Sequence, residues 1–258
     1  MTSTSFVLSR DEFWSGFEYY ALIIRMNGHW RNAPTPRNAL DKLMKKEFPN
    51  FAALKRAKEE NKGYCVVVRP ALDTGTALVM TPHGGGIERH VSMITAAIAD
   101  GDLDMYCFEG MQPKGNAELH ITSENFDEDR ALELLKTKNT VVAIHGRADE
   151  GDADTIYLGG KDADLVVAIN EGLRAAGLET KGSGHRFPGT KDSNIVNRGL
   201  TGKGAQLELP LSLRKRHAKE PDLLETFRGA VRDAMLALDT DRRVRKQSDE
   251  SSFPAAGK

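Results

Sequence analysis

The sequence predicts an α/β fold, with a largely parallel sheet covered by helices on both faces. Three observations carry that reading. Residues 64–69, 76–80 and 140–144 are short β-branched or fully apolar runs, the texture of strands buried on both sides. Helical patterns lie between them, at 87–99 and 127–138, with another at 162–176. Strand and helix alternate along the chain, as crossover units joining parallel strands do.

Residues 1–48 read as an N-terminal extension that carries both tryptophans, Trp14 and Trp30, and a polar break at 32–36. Segments 11–25 and 37–46 are short helices within it. Residues 49–238 form the folded domain, and 239–258 a charged, serine-bearing C-terminal tail expected to fray. The domain opens with a helix at 51–59, stopped by Asn61-Lys62-Gly63. Strand 64–69, a turn at 71–75 and strand 76–80 follow. Gly84, Gly85 and Gly86 make a loop before helix 87–99. Short strands are expected at 104–108 and 118–121. Helix 127–138 takes Asp127 as its N-cap. Strand 140–144 is the most apolar. Helix 162–176 ends at Gly177, which suits the left-handed backbone of a C-cap. Glycine and turn residues dominate 182–204. Strand 206–209 and helix 221–238, with Pro221 near its first position, complete the domain.

Composition excludes several classes of function. The 258 residues are 40% hydrophobic and 28% charged, enough to bury a core and too apolar for wholesale disorder. Lys and Arg number 36 against 37 Asp and Glu, so a net charge of −1 gives no global pull toward nucleic acid or anionic membrane. Two cysteines, Cys65 and Cys107, each in an apolar run, rule out a disulfide scaffold and a cysteine-based zinc site. No stretch reaches the roughly 18–20 apolar residues of a membrane span. Asp11, Glu12 and Glu18 precede the run 19–24, where a signal peptide would be basic. A cytoplasmic protein is expected.

The chemistry concentrates at strand ends. His83 follows strand 76–80, three glycines allow a tight turn, and Glu88 falls in the first turn of the expected helix. An imidazole and a carboxylate so placed can share a zinc ion, which takes histidine nitrogen and glutamate oxygen. The same residues also describe a plain strand-to-helix turn. His90 points about 200° around that helix from Glu88 and is the weaker ligand. His145 ends strand 140–144, where parallel sheets bind ligands, and is the natural third ligand. Glu208 shares a strand face with Gln206. A carboxylate in a short apolar strand is either salt-bridged or the base that a zinc hydrolase needs.

Other motifs fail. Asp100, Asp102 and Asp104 begin like a calcium loop, but Met105 and Met111 stand where the glycine and the final acid belong. HGGG is not followed by any G-x-S-x-G elbow, and 199–204 lacks the Walker spacing. Arg214, Lys215, Arg216 and the basic run 242–246 are interleaved with acids and read as solvated surface rather than a nucleic-acid patch.

HGGGIE (83–88), FEG (108–110), GNAELHITS (115–123), VVAIHG (141–146), SNIVNRG (193–199) and GAQLEL (204–209), in that order, resemble the poly-gamma-glutamate hydrolase family, found in bacteriophages and bacterial genomes. The resemblance covers about residues 51–213. It implies a mixed, mostly parallel sheet similar to that of zinc carboxypeptidases. It implies zinc held by His83, Glu88 and His145, with Glu208 as the catalytic glutamate. The four-residue gap between His83 and Glu88 departs from the two-residue gap of true carboxypeptidases. His120, Asn197 and Arg198 fall in family motifs and are assigned to substrate binding. The implied substrate, poly-gamma-glutamate, is a polyanion. A nearly neutral chain would grip it through local cations, of which Arg147, Arg186, Lys191, Arg198 and Lys203 lie in loops beside these residues. The rival readings are a zinc amidohydrolase for another amide and a nucleic-acid-associated protein without catalysis.

Overall fold

The structure, a computed structural model, describes residues 48–71 and 75–251. The expected helices at 11–25 and 37–46, most of the turn at 71–75 and the last seven residues of the tail lie outside them. Among the described residues, seven strands form one sheet and six α-helices pack on it.

In chain order these are α1 (Phe51–Ala57), β1 (Tyr64–Arg69), β2 (Ala77–Gly85), α2 (Val91–Ala99), β3 (Asp104–Gly110), α3 (Asp129–Leu135), β4 (Thr140–Arg147), β5 (Ile156–Gly160), α4 (Ala163–Ala175), β6 (Thr180–Lys181), β7 (Ala205–Pro210), α5 (Leu211–His217) and α6 (Pro221–Ser251). The sheet order is β1-β3-β2-β4-β7-β5-β6. The four central strands are mutually parallel, β1 is antiparallel to β3, and β5 is antiparallel to β7. The sheet is therefore mixed and mostly parallel, as expected.

Strand alternation sends successive side chains to opposite faces. Val79, Met105, Val142, Ile144 and Leu207 pack under α2, α4 and α6. Leu78, Met80, Tyr106, Phe108 and Val141 pack under α1 and α3. Both faces are thus covered, which explains why the central strands read as unbroken apolar runs. Caps fix the helix starts: Asn50 accepts from Ala53 N–H, Glu128 from Ala131 N–H and Asp162 from Leu165 N–H. Asp127, the expected cap of α3, instead accepts from Phe51 N–H and ties α1 to that corner.

Four expectations change. Strand β2 does not stop at 80 but continues through His83 to Gly85, because Gly84 and Gly85 still pair with Glu109 and Gly110. Helix α2 accordingly begins at Val91, so Glu88 sits in the preceding turn and not in the helix. The expected strand at 118–121 is a 3-10 turn, Asn116–Leu119, because the left-handed Gly115 and the Asn116 side chain, bonded to the Gln112 backbone, bend the chain there. Residues 239–251 are not a frayed tail but the end of α6, held by tertiary partners. Asp239 is buried and accepts from the Thr76 hydroxyl at 2.7 Å, and one Arg242 nitrogen, Nη2, donates to both carboxylate oxygens of the buried Asp162. No described helix is long and apolar enough to cross a membrane.

Candidate active site

Neighbouring strands β2, β4 and β7 end at one edge of the sheet, and each delivers one side chain there: His83, His145 and Glu208. His83 is buried, with Nε2 2.7 Å from the Ile121 carbonyl. A carbonyl only accepts, so Nε2 carries the proton and Nδ1 presents a lone pair. That lone pair meets Glu88 Oε1 at 3.1 Å and His145 Nδ1 at 3.1 Å. His145 Nδ1 lies 3.8 Å from Glu88 Oε2, and its Nε2 lies 3.4 Å from Ser123 Oγ. Segment 120–123 therefore backs both imidazoles.

Outside any helix, Glu88 is oriented by the sheet. Gly146 N–H donates to its Oε2 at 2.7 Å. Burial works to raise the Glu88 pKa, but the contact with His83, followed by His145 and His120, holds it down at about 2. Burial, reinforced by His83, lowers His145 to about 4 and keeps it neutral at physiological pH.

These atoms fit a metal cation. A lone pair and a carboxylate oxygen converge to 3.1 Å, and a cation between them reconciles the two. Zinc bonds of about 2.0–2.1 Å in a tetrahedral site set neighbouring ligand atoms roughly 3.3 Å apart. His120 belongs to the same cluster. Its ring stacks on His83 with centroids 4.0 Å apart, and His83, Glu88 and His120 offer ligand atoms within 4.8 Å of one another. His120, expected at the substrate, thus stands at the metal-capable centre itself.

Glu208 pairs with His145 across the β4–β7 ladder and with Tyr157 across β5. Burial and then the Glu88 carboxylate push its pKa up to about 8, against the opposing pull of Arg214, Arg147 and Arg186. His83, Glu88, His120, His145 and Glu208 all line a cavity of about 790 Å³.

Of the five expected cations, three line this cavity. Arg147 is buried, donates to the carbonyls of Ala148, Asp149 and Thr155, and lies 3.9 Å over the Tyr157 ring. Arg186 and Lys191 are exposed at the rim, paired with Glu150 and Glu124. Arg89, not expected, joins them, exposed and with no ion pair among the described residues.

Two substrate-binding expectations are not met by the geometry. Asn197 is buried, and its amide is fully used in the loop: it donates to Gly189 and Lys191 carbonyls and accepts from Lys161 and Gly204 N–H groups. Arg198 is exposed and does not line the cavity. Nor does Lys203, which lies 3.7 Å from Asp162. Arg214, read from sequence as solvated surface, is instead buried against the site. The available signal was periodicity: Leu213, Arg214 and His217 are all buried, and the first and last of them are four residues apart on one face of α5.

The profile of a family described as poly-gamma-glutamate hydrolase matches residues 48–229. The chain is 36% identical over 171 residues to the UPF0714 protein YndL of Bacillus subtilis (strain 168), covering 65% of each. It is 37% identical over 140 residues to the SPbeta prophage-derived UPF0714 protein YoqZ of the same organism, covering 54% of this chain and 50% of that one. It thus spans about half to two thirds of the length of these two relatives. Among solved structures, a bacteriophage poly-gamma-glutamate hydrolase superposes with a TM-score of 0.68 at 27% identity, covering 74% of this chain and 97% of that one. The zinc-free, apo form of YndL superposes with a TM-score of 0.60 at 34% identity, covering 65% of this chain and 81% of that one. A profile match across most of the chain and the agreement in fold show that the chain belongs to the poly-gamma-glutamate hydrolase family.

Proposed function

We propose that this chain is a zinc-dependent hydrolase that cleaves the gamma-amide bonds of poly-gamma-glutamate with water. The observation that carries the reading is the convergence of His83, Glu88 and His145 on one point, with the Glu208 carboxylate on the strand beside His145. Family membership supports the substrate, and the zinc-free form of YndL supports the choice of metal.

His83 and His145 would hold the ion through Nδ1, and Glu88 through its carboxylate; His120 stands within reach of the same cluster. Zinc supplies Lewis-acid chemistry, acidifying water and polarising a carbonyl. The chain's own residues do the rest. Glu208 takes a proton from the attacking water and delivers it to the departing amine nitrogen as the C–N bond breaks. A base must be poised near the working pH to do both, and the raised pKa of Glu208 suits that task. The polymer carries one free carboxylate per residue, and Arg89, Arg186 and Lys191 at the rim match that charge.

The test compares purified protein on gamma-linked and alpha-linked polyglutamate, reading chain length by size-exclusion chromatography. Shortening of the gamma-linked polymer alone is expected. Equal shortening of both polymers, or of neither, overturns the substrate assignment.

A further inference from the structure

Arg214 is the site's one buried guanidinium anchored on three separate segments. Its Nε donates to the Leu209 carbonyl at 3.1 Å, one Nη to the Arg147 carbonyl at 3.1 Å, and the other to the Arg89 carbonyl. Each acceptor follows a site residue closely in sequence. Arg89 follows Glu88, Arg147 lies two beyond His145, and Leu209 follows Glu208. Among the described residues no carboxylate forms an ion pair with Arg214, and its charge acts on Glu88 and Glu208. The packing is reciprocal. A Cβ on Gly146 would lie 2.4 Å from the Arg214 guanidinium carbon, so only glycine leaves room for it there. That same Gly146 gives its N–H to Glu88 Oε2.

We propose that Arg214 is the positioning residue of this site: one guanidinium bolts together the turn after Glu88 and the ends of β4 and β7, and so sets the spacing of Glu88, His145 and Glu208. A planar fork with five donors in fixed directions can bind three diverging carbonyls, whereas a lysine ammonium on the same stem cannot reach all three at once. The inference rests on the zinc reading above. It assigns Arg214 no contact with substrate.

The test measures zinc affinity by competition with a chelating dye, together with kcat and KM, for wild type, Arg214→Lys, Arg214→Ala and Gly146→Ala. Near-UV circular dichroism reports the fold of each. Loss of groups that orient metal ligands typically weakens metal binding about 10–100-fold. A loss in that range is expected for both Arg214 variants and for Gly146→Ala, which displaces the guanidinium without removing it. kcat should fall by more than KM rises, because Arg186 and Lys191, two of the three rim cations, lie on a segment that Arg214 does not hold. Free guanidinium ion at millimolar concentration should restore part of the zinc affinity of Arg214→Ala, and sodium at the same concentration should not. A folded Arg214→Lys protein with zinc affinity within about twofold of wild type overturns the proposal. So does failure of all three variants to fold, which would make Arg214 a residue of general fold integrity. A wild type that holds no zinc overturns the zinc reading and this inference with it, and the first titration shows that before any variant is compared.

Discussion

Glu208 lies directly opposite His145 in the parallel ladder between β4 and β7, so one strand pairing fixes a buried imidazole beside a buried carboxylate. The side-chain period of a strand is two, so a slip of one residue would turn Glu208 to the other face of the sheet. The flanking apolar residues prevent that slip. Leu207 and Leu209 pack in the core under α2, α4 and α6. The pairing of these two side chains is thus held by the core and does not depend on any loop.

Glu208→Gln should keep the fold and the zinc and lose turnover. The change is nearly isosteric and removes a buried acid, so the melting temperature should not fall. A positioned proton-transfer group contributes about 10²–10⁴-fold, and kcat should drop by that much. A zinc-loaded variant with more than about a tenth of wild-type kcat would remove Glu208 from the role of base.

The pH dependence of stability should report Glu109. This carboxyl accepts from Ser92 Oγ at 2.9 Å, and burial pushes its pKa up to about 7 despite that bond and the Cys107 thiol. In the unfolded chain a glutamate titrates near 4.3. Between those values the folded state binds the extra proton, so stability falls as pH rises from about 4.5 to 7 and then levels off. The full effect is on the order of 3 kcal/mol. Glu109→Gln should be more stable than wild type at pH 8 and show little difference at pH 4.5. Glu208 adds a slope of the same sign, so the difference between the two proteins is the quantity to read. A gap in melting temperature that does not vary with pH contradicts this account.

Arg242→Ala should destabilise without touching chemistry. It strips the paired cation from Asp162, a fully buried carboxylate that also caps α4. Breaking a buried pair costs about 3–5 kcal/mol, and Lys203, 3.7 Å away, holds this case near the lower end, about 3 kcal/mol. The melting temperature should fall while kcat below the transition is unchanged. An unchanged melting temperature would mean that the end of α6 contributes nothing to the fold.

Substrate grip should follow the rim. Arg186→Ala and Lys191→Ala should each raise KM for the polymer, and KM of the wild type should rise with salt as exposed charges are screened over roughly 8–10 Å. Arg198→Ala, outside the cavity, should leave both constants within about twofold. A larger effect at Arg198 than at Lys191 would return Arg198 to the substrate path.

The sequence was most informative where local pattern and tertiary role coincide. The apolar runs of β2 and β4 are legible because both faces are buried, and His83 and His145 stand out at their ends, as Glu208 does between Leu207 and Leu209 in β7. Less legible are residues whose partners are distant in sequence. Asp239 meets Thr76 and Arg242 meets Asp162, and nothing near either residue marks them as other than a charged tail. Arg214 hid in a basic run because its acceptors are backbone carbonyls, which leave no trace in side-chain identity. Asn197 lay in a family motif, yet a buried amide that closes a loop and one that meets substrate look alike in sequence. The five-residue β5 and the two-residue β6 are too short, and too rich in glycine and polar residues, for periodicity to register.

On the proposed reading, His83, Glu88 and His145 hold a zinc ion, and amide hydrolysis there depends on Glu208. That reading is tested most directly by stripping the protein with a chelator, returning zinc in steps, and following bound metal and polymer shortening together. Activity should vanish on stripping and return in proportion to bound zinc up to about one ion per chain, while Glu208→Gln takes up the same ion and regains almost none. A stripped protein that shortens poly-gamma-glutamate at the undiminished rate would contradict the account.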